Sequence, residues 1–134
     1  MKRSILNECL RIARGKHNPS HPGWYGKAVH YSFIVQNNKI LEMGMNRGDS
    51  SPPISYGYPF YAEIHSEVDA WKKARGILEE GKWEIVNVKL TRETPNYPMA
   101  DSAPCKSCVS FLLKQGCKHF YFTTNSGQIA KIIY

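Results

Sequence analysis

His65, Cys105 and Cys108 are the residue types that grip a tetrahedral zinc ion: one imidazole and two thiolates. Three protein ligands leave the fourth corner open to water, whose pKa the metal lowers towards neutrality. Glu67, two residues beyond His65, is placed to move protons at that corner without taking a coordination position. Pro104 directly precedes the cysteine pair, in the run Pro104-Cys105-Lys106-Ser107-Cys108.

Other readings of these residues stand beside this one. A bare C-x-x-C also serves as a thioredoxin-like redox pair or as buried thiols. A structural zinc would take a fourth protein ligand, for which His17, His21, His30, His119 and Cys117 are available. None of those five has the short paired spacing of known structural sites, and a structural zinc has no use for Glu67.

The elements that must position these residues follow from periodicity and breakers. Ile5, Leu6, Cys9, Leu10, Ile12 and Ala13 keep helical spacing, and Gly15 can end that helix. Residues 28–35 and 39–45 are apolar and β-branched, joined at Asn37-Asn38, a hairpin signal because asparagine tolerates left-handed backbone. Residues 46–64 form a long loop with Pro52, Pro53, Pro59 and the aromatics Tyr56, Tyr58, Phe60 and Tyr61. Ile64, Val68, Trp71, Ala74 and Leu78 share one face of a helix expected to end near Gly81.

A strand is expected over 83–90, a loop over 91–103, a helix over 105–115 ending at Gly116, and a strand over 119–123. Both parts of the zinc motif thus fall at helix starts, where the helix dipole favours thiolate over thiol. Cys105 and Cys108 are expected on one side of the first turn. Residues 128–133 add an edge strand. Only Thr124–Gly127 separate it from the strand before, too short for a parallel crossover, so this pairing is expected to be antiparallel. The fold class is α/β, a three-layer helix–sheet–helix arrangement over a mixed sheet of about five strands. With no repeat and no linker-like shift in composition, residues 1–134 are expected to form one domain.

Composition excludes some classes. No apolar run is long enough for a membrane span, and the N-terminal segment, with charges inside an amphipathic pattern, does not resemble a secretory leader. Four unevenly spaced cysteines suit thiolate ligands in a reducing compartment better than a disulfide scaffold, so a cytoplasmic location is expected. Eighteen Lys and Arg against eleven Asp and Glu give a net charge of +7. Such a chain favours anionic partners, phosphate-bearing nucleotides or nucleic acid, or simply has a solvated basic surface.

The chain resembles the cytidine deaminase-like superfamily, zinc enzymes that act on nucleosides, nucleotides or nucleic acid. The resemblance runs from Ala28 to about Thr124. It rests on the hairpin ending Gly44-Met45-Asn46-Arg47, on His65-Ser66-Glu67-Val68-Asp69-Ala70, and on Pro104-Cys105-Lys106-Ser107-Cys108. In nucleobase deaminases H-x-E with P-C-x-x-C marks the zinc ligands and a proton-shuttling glutamate. The resemblance therefore implies zinc on His65, Cys105 and Cys108, with Glu67 as the catalytic residue. It implies that Asn46 contacts sugar or base, and that the backbone beside Ser66 and around Pro104 and Cys105 lines the reacting ring. Ser66 stands where alanine is commoner. Small members of the superfamily often assemble, which leaves a homo-oligomer open.

Departures from the family pattern bear on substrate. Free-nucleoside deaminases carry Asn-x-Glu where this chain has Asn46-Arg47-Gly48, and glycine where it has Lys106. Deoxycytidylate, tRNA adenosine and polynucleotide deaminases usually end with a parallel strand. Two substrate classes are thus expected to compete. For a free cytosine nucleoside or nucleotide, Arg47 and Lys106 are placed to meet a phosphate. For single-stranded DNA or RNA, the aromatics around Tyr61, with Trp24 and Tyr25, are suited to stack bases. A third class is an inactive relative that keeps zinc for stability and acts as a binding module.

Overall fold

A computed structural model describes residues 1–16, 28–45, 65–91, 99–100 and 106–132. Helix α1 spans Arg3–Lys16, and the hairpin strands β1 and β2 span Ala28–Gln36 and Lys39–Met45. Helix α2 spans Ser66–Ala74 and tightens into a 3-10 turn over Arg75–Ile77. Strands β3 (Trp83–Thr91) and β4 (Met99–Ala100), helix α3 (Lys106–Lys114) and strands β5 (Cys117–Thr123) and β6 (Ile129–Lys131) follow.

The hairpin turns as its sequence predicts. Asn37 and Asn38 have φ of 53° and 59°, the pair of positive values a two-residue turn needs to match strand twist. Between Val35↔Ile40 and Ile34↔Glu42 the register slips, leaving Leu41 as an extra residue on β2. This bulge reverses the side of the sheet to which β2 side chains point. Ile40 packs with the α1-side cluster and Leu41 with the opposite one, yet beyond the bulge it is odd-numbered Met43 and Met45 that face α1.

The strand order is β2-β1-β3-β5-β6, with β4 paired to β3 off that path. Strand β1 is antiparallel to both β2 and β3, β3 is parallel to β5, and β5 is antiparallel to β6. The expected antiparallel last strand is therefore present, and its cause is the short Thr124–Gly127 connection, closed by a bond from Thr124 N to Gln128 O. Strand β4 lies within the stretch expected to be a loop and adds to β3 at Lys89 and Leu90.

Side-chain alternation splits the core between the two faces of the sheet. Leu6, Cys9 and Ala13 of α1 pack on Tyr31, Phe33, Val35, Val86, Val88 and Leu90. On the other face Val68, Trp71 and Ala74 of α2 and Phe111 and Leu112 of α3 pack on Ile34, Ile85 and Phe120. Trp71 and Phe111 meet edge to face at 5.0 Å, joining the two helices. The mixed α/β sandwich with helices on both faces is thus the expected one.

Two helix ends differ from expectation. Helix α1 continues through Gly15 to Lys16. The α-helical part of α2 stops at Ala74, and Leu78 is already extended, with ψ of 135°. Gly81, at φ of 74°, belongs to the turn before β3, where its N–H bonds Gly116 O at 2.7 Å.

Candidate functional site

The first turn of α2 meets the sheet where β1, β2 and β3 run side by side. His65 is the N-cap residue, extended at φ −74° and ψ 153°, so its ring leaves the helix axis while Ser66 and Glu67 turn inward. The close approach of α2 to β2 depends on Gly44. A Cβ there would come within 2.9 Å of Ala70 Cα and closer still to Ala70 N and Ser66 O. The bulge at Leu41 is what turns Gly44 towards this helix.

His65 Nδ1 lies 3.1 Å from Cys108 Sγ, contributed by the first turn of α3. The Oε1 atom of Glu67 lies 3.9 Å from the same Nδ1. Donor atoms of these three residues fall within 4.8 Å of one another. Two ligands of one tetrahedral zinc, with bonds of about 2.0 and 2.3 Å, stand about 3.5 Å apart, so the imidazole–sulfur pair is near the spacing the ion requires. One nitrogen and one sulfur are also the donor chemistry that zinc selects. Among the described residues no other histidine or cysteine joins this cluster. Cys117 sits opposite Trp83 at the start of β3, His119 lies on β5, and His30 on β1 feels the charge of His65 but falls outside this three-residue group.

Glu67 is held by residues that sequence patterning passed over. Asn87 Nδ2 donates to Glu67 Oε2 at 2.7 Å. Behind it Ser32 Oγ donates to Asn87 Oδ1 at 2.6 Å and lies 2.8 Å from Ser66 Oγ. All four residues are buried, none more than 5% exposed. A polar group in such a position must be hydrogen-bonded or it destabilises the fold, so the four satisfy one another. The signal was present in the strands: Ser32 interrupts Tyr31 and Phe33, and Asn87 interrupts Val86 and Val88, each inside a short apolar run.

A second polar anchor fixes the end of β2. Asp69 Oδ2 accepts the backbone N–H of Met45 at 3.0 Å and lies 3.4 Å from Lys73 Nζ, which in turn donates to Met43 O at 3.0 Å. His30, on the same β1 face as Ser32, is partly buried opposite Lys89. Burial, then the charges of Lys89 and His65, hold its pKa down at about 4.

Of the expected site residues, His65, Ser66, Glu67 and Cys108 are therefore gathered at one place. Cys105, Asn46, Arg47, Tyr61 and Pro104 lie outside the described residues, though Met45 and Lys106 mark where the chain leaves and rejoins the described part of the site. No described helix is long and apolar enough to cross a membrane.

Two known structures are similar in fold. One is a cytidine deaminase from Burkholderia pseudomallei, 22% identical, with a TM-score of 0.60 over 98% of this chain and 92% of that one. The other is the dCMP deaminase of the cyanophage S-TIM5 in apo form, 20% identical, with a TM-score of 0.54 over 92% and 86% of the two chains. The chain has the cytidine deaminase-like fold. No protein-family model and no curated protein matches the sequence. The match to that fold extends over nearly the whole length, while identity is low enough that the shared feature is architecture.

Proposed function

We propose that this chain is a zinc-dependent hydrolytic deaminase that converts a cytosine base to uracil on a free nucleoside or nucleotide. The observation that carries the reading is the buried Glu67 carboxylate, held by Asn87 beside the paired His65 nitrogen and Cys108 sulfur. His65 and Cys108, with Cys105 as the third ligand, would hold the ion, which supplies a Lewis acid that makes water nucleophilic near neutral pH.

The chain's own part is acid–base work and positioning. As a water adds to the ring carbon bearing the exocyclic amine, Glu67 takes its proton and returns it to the ring nitrogen. A second proton, from the new hydroxyl, follows through Glu67 to the amine, which leaves as ammonia while the carbonyl forms. Asn46 is assigned to sugar or base, Ser66 and Pro104 to the rim of the reacting ring, and Arg47 to a substrate phosphate. The names of the two similar structures, a cytidine and a dCMP deaminase, support cytosine and a monomeric substrate. The reducing, cytoplasmic setting proposed for the chain suits thiolate ligands.

The net charge of +7 favours a second reading, in which the substrate is single-stranded DNA or RNA with Tyr61 among the stacking aromatics. One assay separates the two: zinc-loaded protein with cytidine, deoxycytidine, their monophosphates and mixed-sequence oligonucleotides, read as ammonia release. Turnover of monomers alone is expected, and turnover of oligonucleotides alone would replace the first reading with the second. Glu67→Gln should lose activity by a factor of about 100 or more while keeping zinc. Undiminished turnover in that variant removes the glutamate from the mechanism.

A further inference from the structure

The two oxygens of the Glu67 carboxylate have different surroundings. Oε2 accepts from the Asn87 amide at 2.7 Å, whereas Oε1 faces the His65 nitrogen at 3.9 Å. The orientation of the Asn87 amide follows from donor bookkeeping. A carboxylate only accepts, so the amide must turn its NH2 to Glu67 and its carbonyl oxygen to Ser32. Ser32 has one hydroxyl hydrogen and spends it on Asn87 Oδ1, so in the 2.8 Å contact between the serines Ser66 is the donor. The chain of donors thus runs one way, from Ser66 through Ser32 and Asn87 to Glu67 Oε2.

We infer that Asn87, oriented by Ser32, is the positioning residue for Glu67: it holds Oε2 as an acceptor and leaves Oε1 turned to the His65–Cys108 side. This inference rests on the deaminase reading above. An amide neither takes nor gives a proton, so nothing leaks along the relay. The same anchor stops the carboxylate from rotating, which keeps Oε1 aimed at the His65–Cys108 side, where the reacting water and ring must meet.

Ser32→Thr and Ser32→Val add the same bulk to a buried position and differ only in the hydroxyl. The first readout needs no activity: hydrogen exchange of the Asn87 side-chain amide, followed by NMR in zinc-loaded protein. Slow exchange is expected in the parent and in Ser32→Thr, and at least about tenfold faster exchange in Ser32→Val. Glu67→Ala, which leaves Ser32 in place, should also speed it. Equal exchange across these proteins would show that no such relay holds the amide. The second readout is kinetic. Ser32→Val should lose about tenfold in kcat relative to Ser32→Thr, with KM and zinc content unchanged. Equal kcat values, or a loss confined to KM, would overturn the positioning role. A parent protein that deaminates none of the substrates brings down the functional reading and the kinetic role of Asn87 with it, while amide exchange still decides whether Asn87 anchors Glu67.

Discussion

His65 at the head of α2 and Cys108 in the first turn of α3 touch at 3.1 Å across 43 positions of sequence. A cation shared by the two side chains would tie together helices that otherwise meet through Trp71 and Phe111. Zinc removal by a chelator is therefore expected to destabilise the fold as well as stop turnover. At a zinc concentration 100 times its Kd the bound ion contributes about 2.7 kcal/mol, which corresponds to a rise in Tm of about 8 °C. Cys108→Ala should lower zinc content to below about one-tenth per chain and make Tm insensitive to added zinc. A Tm in that variant that still climbs with zinc would place the ion elsewhere.

Gly44 against Ala70 makes a sharper packing test. Gly44→Ala drives a methyl into backbone atoms of α2 that have no rotamer to yield, and should cost about 3 kcal/mol in urea unfolding. Gly76→Ala, where a Cβ meets nothing within 4 Å, is expected to stay within about 0.5 kcal/mol of the parent. Equal stabilities for the two variants would contradict the approach of β2 to α2.

Asp69 holds the residue immediately before Asn46 and Arg47, so its role should show in binding. Asp69→Ala removes the acceptor for Met45 N–H and the partner of Lys73, and is expected to raise KM about tenfold with a smaller effect on kcat. Asp69→Asn keeps an oxygen for Met45 N–H and should fall between the two. Steady-state kinetics on the preferred monomer checks this, and a pure kcat effect would tie Asp69 to Glu67 instead.

His30 predicts a pH dependence of stability. Burial first, then Lys89 and His65, keep its folded-state pKa near 4, against about 6.5 in the unfolded chain. Between those values the unfolded state binds more protons, so stability rises with pH and is lost as pH falls from about 6.5 towards 4. The full span is worth on the order of 3 kcal/mol for this one group. Urea midpoints of the parent and of His30→Gln at pH 7, 5.5 and 4.5 should converge as pH falls, with the parent losing more. Parallel curves would mean that His30 titrates alike in both states.

Much of the architecture was legible along the chain because it is local. Asn37-Asn38 dictates a tight turn whatever surrounds it, the short Thr124–Gly127 link forces the last strand back antiparallel, and the spacing of Val68, Trp71 and Ala74 marks the buried side of α2. Residue chemistry was equally explicit at His65, Glu67 and Cys108, since few arrangements use an imidazole, a carboxylate and a thiolate so placed.

Tertiary structure alone decided what lies beside what. Periodicity says which face of a strand is buried, but not that β1 runs between β2 and β3, nor that an extra residue at Leu41 turns Gly44 towards α2. Ser32 and Asn87 look like minor polar interruptions until β1 and β3 pair them as neighbours under the first turn of α2. Their importance comes from burial: away from water each hydrogen bond must find a specific partner, and which partners are within reach is set by strand order and register.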